Sequence, residues 1–126
     1  MRAFLTAVLL LSLILGGVFL FNAYLDHRAA ETDALLADIQ SAAEKQDIPA
    51  LKSAVAALDK QWENTTGYLM LFLDHKDIAD MSVCIGRMRA QASYGDAESV
   101  ICELSSFTRL FRLALENTRP YFRNIL

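Results

Sequence analysis

Asp74, His75, Lys76 and Asp77 stand in a row, and Asp80 follows one helical turn later. An imidazole with two or three carboxylates is a ligand set that a divalent cation could use. Against that reading, Lys76 puts a fixed positive charge inside the cluster. The only other histidine, His27, lies far upstream. Aspartate is also a preferred N-cap, and carboxylates in a first turn are favoured by the positive end of the helix dipole. Asp74 is therefore expected to cap a helix that Asp77 and Asp80 help to start, with His75 on its surface or in packing. Contact with a partner molecule is the remaining use. No metal and no cofactor is assigned to Asp74, His75, Asp77 and Asp80.

The other chemistry-bearing residues have similarly plain expectations. Trp62 falls on a stripe with Leu51, Val55 and Leu58, so it is expected as a packing anchor whose indole donor finds a polar neighbour. Cys84 and Cys102 lie on either side of Tyr94-Gly95, at similar helical distances from that turn, so a disulfide between them is geometrically open. Two reduced, packed thiols are favoured, since free cysteine behaves as a small buried hydrophobe. Arg109, Arg112, Arg119 and Arg123 alternate with Phe107, Phe111, Tyr121 and Phe122. The aromatics are expected in the core, and the arginines in solvent or paired with acidic residues; contact with anionic headgroups is the alternative. Asn64-Thr65-Thr66 matches a glycosylation acceptor, a pattern too short to carry weight by itself. There is no Gly-rich phosphate loop, nucleophile elbow or pair of catalytic acids, so the chain is read as non-enzymatic.

The elements that position these residues are helical. Five glycines and two prolines in 126 residues leave little room for hairpin turns, and β-branched residues rarely alternate. The first element is an uncharged run from Ala3 to Leu25. A bilayer core needs ~20 apolar residues, so this run is read as a transmembrane anchor contacting lipid through residues 3–25. Phe21-Asn22-Ala23 makes a poor signal-peptidase site, and the apolar core is longer than a cleaved signal needs. Arg2 and the amino terminus precede the run, whereas Asp26, Arg28, Glu31 and Asp33 follow it. The positive-inside rule then places the N-terminus in the cytoplasm and the rest outside the cell membrane. Ser12 and Gly16 form a small-xxx-small pair that would admit a homodimer seam, although ordinary lipid-facing positions are the commoner case.

After the anchor, four helical stretches are expected. The first, from about Asp26 to Lys45, carries Leu35, Leu36, Ile39, Ala42 and Ala43 on one face and continues straight from the anchor. The second opens at Asp47-Ile48-Pro49 and weakens at Asn64-Thr65-Thr66-Gly67. Tyr68 to Leu73 is apolar all round, so it is either buried or membrane-facing. The third starts near Asp74 and stops at Tyr94-Gly95-Asp96, and the fourth ends before Pro120. Gln46-Asp47-Ile48 and Gly95-Asp96-Ala97 each restart a helix after a short turn, 49 residues apart. That repeat outlines two antiparallel hairpins, so the expected fold is all-α: an anchor, residues 1–25, and a helical-repeat-like four-helix bundle, residues 26–126. Residues 26–80 carry net charge −6 and residues 81–126 carry +2, so the two hairpins attract.

Trp62, then Leu71-Phe72-Leu73-Asp74-His75-Lys76-Asp77-Ile78, then two further helices and a terminal Asn124-Ile125-Leu126 carry a resemblance. The chain resembles a family of short, membrane-anchored helical proteins of Gram-positive, often spore-forming bacteria, described only as a domain of unknown function. The most specific pieces are Phe72-x-Asp74-His75 and the Asn-Ile-Leu end. Arg119, Pro120, Arg123 and their two aromatics depart from the more acidic, lysine-rich tail that the resemblance implies. It implies a bacterial cell-membrane protein and brings no catalytic residues.

The resulting expectation is a membrane-tethered accessory or interaction protein whose partner lies in the membrane or envelope. The alternative is a ligand or metal sensor at the membrane surface. Net charge −3 on a chain held outside the cell argues against nucleic acid.

Overall fold

The computed structural model describes the backbone of residues 1–71 and 73–125, and the side chains among these as far as Asn117. Four helices account for nearly all of it: α1 (Arg2–Glu44), α2 (Ile48–Leu69), α3 (His75–Ser93) and α4 (Ala97–Ile125). The described residues contain no strand. They form two compact units, 1–31 and 32–126.

The first unit is a single helical stretch. Its apolar run is exposed as far as Leu20, with Phe4, Leu13, Phe19 and Leu20 each exposed by about two thirds or more, whereas Leu25 at its end is buried. The helix is long and apolar enough to cross a membrane. Thr6 returns its hydroxyl to the Arg2 carbonyl at 2.8 Å, which satisfies one of the few polar side chains in the run. Beyond the run, Glu31 accepts from Arg28 at 3.1 Å and lies 3.0 Å from His27 Nε2, and the Arg28 guanidinium lies 5.4 Å from the centre of the Tyr24 ring.

The second unit is a four-helix bundle built from the end of α1 with α2, α3 and α4. Two of its three turns are the same device. At the end of α1, Gln46 takes a left-handed φ of 52°. Its N–H bonds the Ala43 carbonyl, and the Asp47 N–H bonds that of Ala42. At the end of α3, Gly95 has φ 75°, with Gly95 N–H bonded to Ala92 and Asp96 N–H to Gln91. Both are Schellman caps, which satisfy the orphan carbonyls of the finished helix. Each closing aspartate then caps the next helix: Asp47 Oδ1 accepts from Ala50 N–H at 3.3 Å, and Asp96 Oδ1 from Ser99 N–H at 3.2 Å. The repeat visible in the sequence is thus one turn used twice. Pro49 sits in the first turn of α2, where its missing donor has no intrahelical partner to lose.

The core is drawn from three- and four-residue spacings on every helix. Ile39, Leu51, Val55, Leu58, Met81, Ile85, Met88, Val100 and Phe107 are fully buried, each contributing ~1.5–3 kcal/mol of gross apolar burial. The polar Thr32, buried at the start of the unit, donates to Gln61 Oε1 at 3.2 Å and so ties α1 to α2. Between helices, Arg89 reaches Asp59 at 3.0 Å from α3 to α2, and Arg87 reaches Glu103 at 3.7 Å from α3 to α4. Both arginines are largely exposed, so these pairs set register more than stability.

Two helix ends differ from expectation. α2 holds through Asn64–Gly67, where its end is expected to weaken, and runs to Leu69. Thr65 and Thr66 turn their hydroxyls back onto the Gln61 and Glu63 carbonyls, and buried Thr65 and Leu69 keep one face of the helix packed. α4 does not end before Pro120 but continues to Ile125. A proline inside a helix removes one backbone donor, and here the helical turns on either side outlast that single loss.

Candidate functional site

The Asp74 cluster is a helix start. Asp74 is the N-cap of α3, in extended conformation, and its Oδ1 accepts from the Lys76 N–H at 3.2 Å. Asp77 lies in the first turn, half-buried, where the helix dipole favours it. His75, Lys76 and Asp80 are exposed. Among the described residues no group of three or more His, Cys, Asp or Glu side chains is placed to hold a metal ion.

Trp62 is 6% exposed and fixes three helices at once. Its Nε1–H donates to the Ser82 hydroxyl of α3 at 2.8 Å. Its ring meets Phe107 of α4 edge-on, with centroids 5.7 Å apart, and Phe107 stacks on Phe111 at 6.0 Å.

Cys84 and Cys102 are both unbridged, and they differ in surroundings. Cys84 is buried against α4, and burial pushes its thiol above the ordinary cysteine value, with the neighbouring Glu103 carboxylate adding to the rise. Cys102 is exposed rather than packed, because it falls on the outer face of α4 between the buried Val100 and Leu104. A thiolate is the reactive form, so neither desolvation nor a carboxylate neighbour suits Cys84 to be a nucleophile.

Two surface features remain. A groove of about 810 Å³ runs between α1 and α4, lined among others by Asp33, Leu36, Gln40, Arg109, Arg112 and Glu116. Arg109 and Arg112 are exposed, whereas Phe107 and Phe111 beside them are core. The second is the turn from α2 to α3, where Tyr68, Met70 and Leu71 are 61%, 49% and 77% exposed. The apolar stretch beginning at Tyr68 is thus divided, with Leu69 buried and its neighbours outside. Phe72, the first residue of the Phe-x-Asp-His motif, lies outside the described residues, as does the terminal Leu126; the side chains of Arg119, Tyr121, Phe122 and Arg123 are likewise not described.

Residues 19–125 match the family model of the domain of unknown function DUF4363. The chain belongs to the DUF4363 family. No curated protein and no solved structure matches it. The DUF4363 match takes in the end of the apolar run, all three turns, the Trp62 contact and both cysteines, so it covers the whole bundle.

Sequence reasoning placed the DUF4363 helix cap at Asp74 and the Trp62 stripe but did not find the groove. Its walls come from residues 33–40 and 104–116, which no linear pattern joins. The apolar turn did carry a signal, the all-round hydrophobicity from Tyr68 to Leu73.

Proposed function

We propose that this chain is a single-pass bacterial cell-membrane protein whose helical bundle, tethered outside the membrane by the start of α1, works as a non-enzymatic interaction module. The observation that carries the reading is the exposed apolar surface of residues 3–20, among which Val18 alone is half-buried. A monomeric soluble protein rarely leaves so large a contiguous apolar surface in water, and a bilayer core needs a helix of this length. The uneven flanks, with Arg2 before the run and a net acidic stretch after it, support a cytoplasmic N-terminus.

The interaction role is supported by how the chemistry-bearing residues are used. Asp74 is engaged in capping, Trp62 in packing, and burial raises the Cys84 thiol above the ordinary cysteine value. What the bundle offers outward is shape and surface. Alkaline extraction of membranes followed by crosslinking in cells tests the reading. The protein should stay in the membrane pellet and crosslink reproducibly to one membrane or envelope protein. Release by alkali, or a chain that is always alone, would overturn it.

The groove between α1 and α4 favours a second reading, a sensor of small anionic ligands, because two exposed arginines line it. That reading requires a specific anion to raise the melting temperature of the full-length protein in detergent.

A further inference from the structure

Four charged side chains of both signs line the groove between α1 and α4. Asp33 stands on α1, and Arg109, Arg112 and Glu116 stand on α4. All four are exposed, and none has an ion-pair or hydrogen-bond partner among the described residues. The bundle's other arginines with described side chains, Arg87 and Arg89, each reach an acid on a neighbouring helix. Glu116 follows Arg112 by four residues, a spacing at which helical side chains can pair, and does not pair with it.

Each helix of the bundle reverses the one before it, so α1 and α4 are antiparallel. Asp33 therefore shares one end of the groove with Arg112 and Glu116, while Gln40 shares the other with Leu104 and Ser105. One end is charged with both signs, and the other is uncharged. Leu36 and Leu104, both buried, form the floor, and Leu113 is 48% exposed along it, so the apolar lining is aliphatic. At about 810 Å³ the space is of small-molecule size.

We infer that this groove binds a small zwitterion of the aliphatic amino-acid type. The carboxylate meets Arg109 and Arg112, three residues apart on one helix face, where guanidinium forks suit a planar anion. The ammonium group meets Asp33 and Glu116, and the aliphatic side chain lies over Leu36 and Leu104. Charge complementarity selects this occupant. A simple anion engages the arginines but is repelled by Asp33 and Glu116, and a simple cation meets the reverse.

The inference rests on the second reading above, that the groove takes a small ligand, and narrows it to one charge type. Thermal melts of the full-length protein in detergent, followed by circular dichroism, test it with four probes. These are L-leucine, 4-methylpentanoate (leucine without its ammonium group), isopentylamine (leucine without its carboxylate) and glycine. Leucine should raise the melting temperature at a half-saturating concentration about tenfold lower than either single-charge analogue, since each lacks a charged hydrogen bond. Glycine should be weaker by a similar factor for want of the aliphatic group. Asp33→Asn with Glu116→Gln should bring leucine down to the level of 4-methylpentanoate, and Arg109→Gln with Arg112→Gln to that of isopentylamine. The four side chains are exposed and unpaired, so these variants keep the fold. If 4-methylpentanoate matches leucine, the zwitterion is overturned and the anionic-ligand reading stands. If isopentylamine matches leucine, or either double variant responds to leucine as the parent does, the inference also falls. No shift with any probe overturns the inference and the reading together.

Discussion

The indole N–H of Trp62 on α2 donates to the Ser82 hydroxyl on α3 over 2.8 Å, while the same ring meets Phe107 of α4. One side chain thereby joins three of the four helices. Removing the acceptor with Ser82→Ala should leave a buried donor unmatched and cost ~1–3 kcal/mol. Trp62→Ala should cost ~3–5 kcal/mol by opening a cavity. Denaturation of the full-length protein in detergent checks both. Equal stability for Ser82→Ala and the parent would show that the indole bond contributes nothing.

The two Schellman turns make opposite predictions at one position. Gln46 pays for a left-handed φ that Gly95 adopts freely. Gln46→Gly should raise stability by ~0.5–1 kcal/mol. Gly95→Ala meets open space yet forces an L-residue to φ 75°, so it should lower stability by ~1 kcal/mol. A thermal melt of each variant decides, and matching shifts of the same sign would contradict the shared geometry.

The thiols should react in order. Exposed Cys102 should be alkylated in the folded protein, and buried Cys84, its thiol raised by burial and by Glu103, only after unfolding. Mass spectrometry of a timed alkylation reads the sequence of events. Simultaneous modification would show that α3 and α4 separate readily.

Asp96 predicts a pH dependence. Hydrogen bonds from the Ser99 hydroxyl and backbone hold its carboxyl below the usual aspartate range. A carboxyl with a lowered folded pKa stabilises the fold above its unfolded value, ~3.9, and that contribution is lost as pH falls through the folded value. Asp96→Asn keeps a capping oxygen and cannot titrate. Its acid-unfolding profile should therefore be shallower than the parent's below about pH 4. Superimposable profiles would remove Asp96 from the acid response.

Helix starts were the most legible part of the chain, because they depend on neighbours in sequence. Asp74 announces a cap, Asp47 and Asp96 each mark a helix restart, and all three cap. Helix ends were less legible. Asn64–Gly67 and Pro120 are locally unfavourable to a helix, yet α2 and α4 pass through them, for tertiary packing such as that of Thr65 and Leu69 is not written in the local sequence. Trp62 was readable as a packing anchor from its stripe, and Ser82, twenty residues on, was not readable as its acceptor. Cys102 shows the limit most simply. Its residue type favours burial, and one helical position turns it outward.

The central claim is a bundle tethered to a membrane in order to meet a partner there. Crosslinking of the full-length protein in living cells, followed by mass spectrometry of the alkali-resistant membrane fraction, tests it most directly. The account predicts that the protein is found in that fraction, linked reproducibly to one membrane or envelope protein through residues of the bundle. A protein that leaves the membrane in alkali, or that stays there without crosslinking to any other protein, would contradict it.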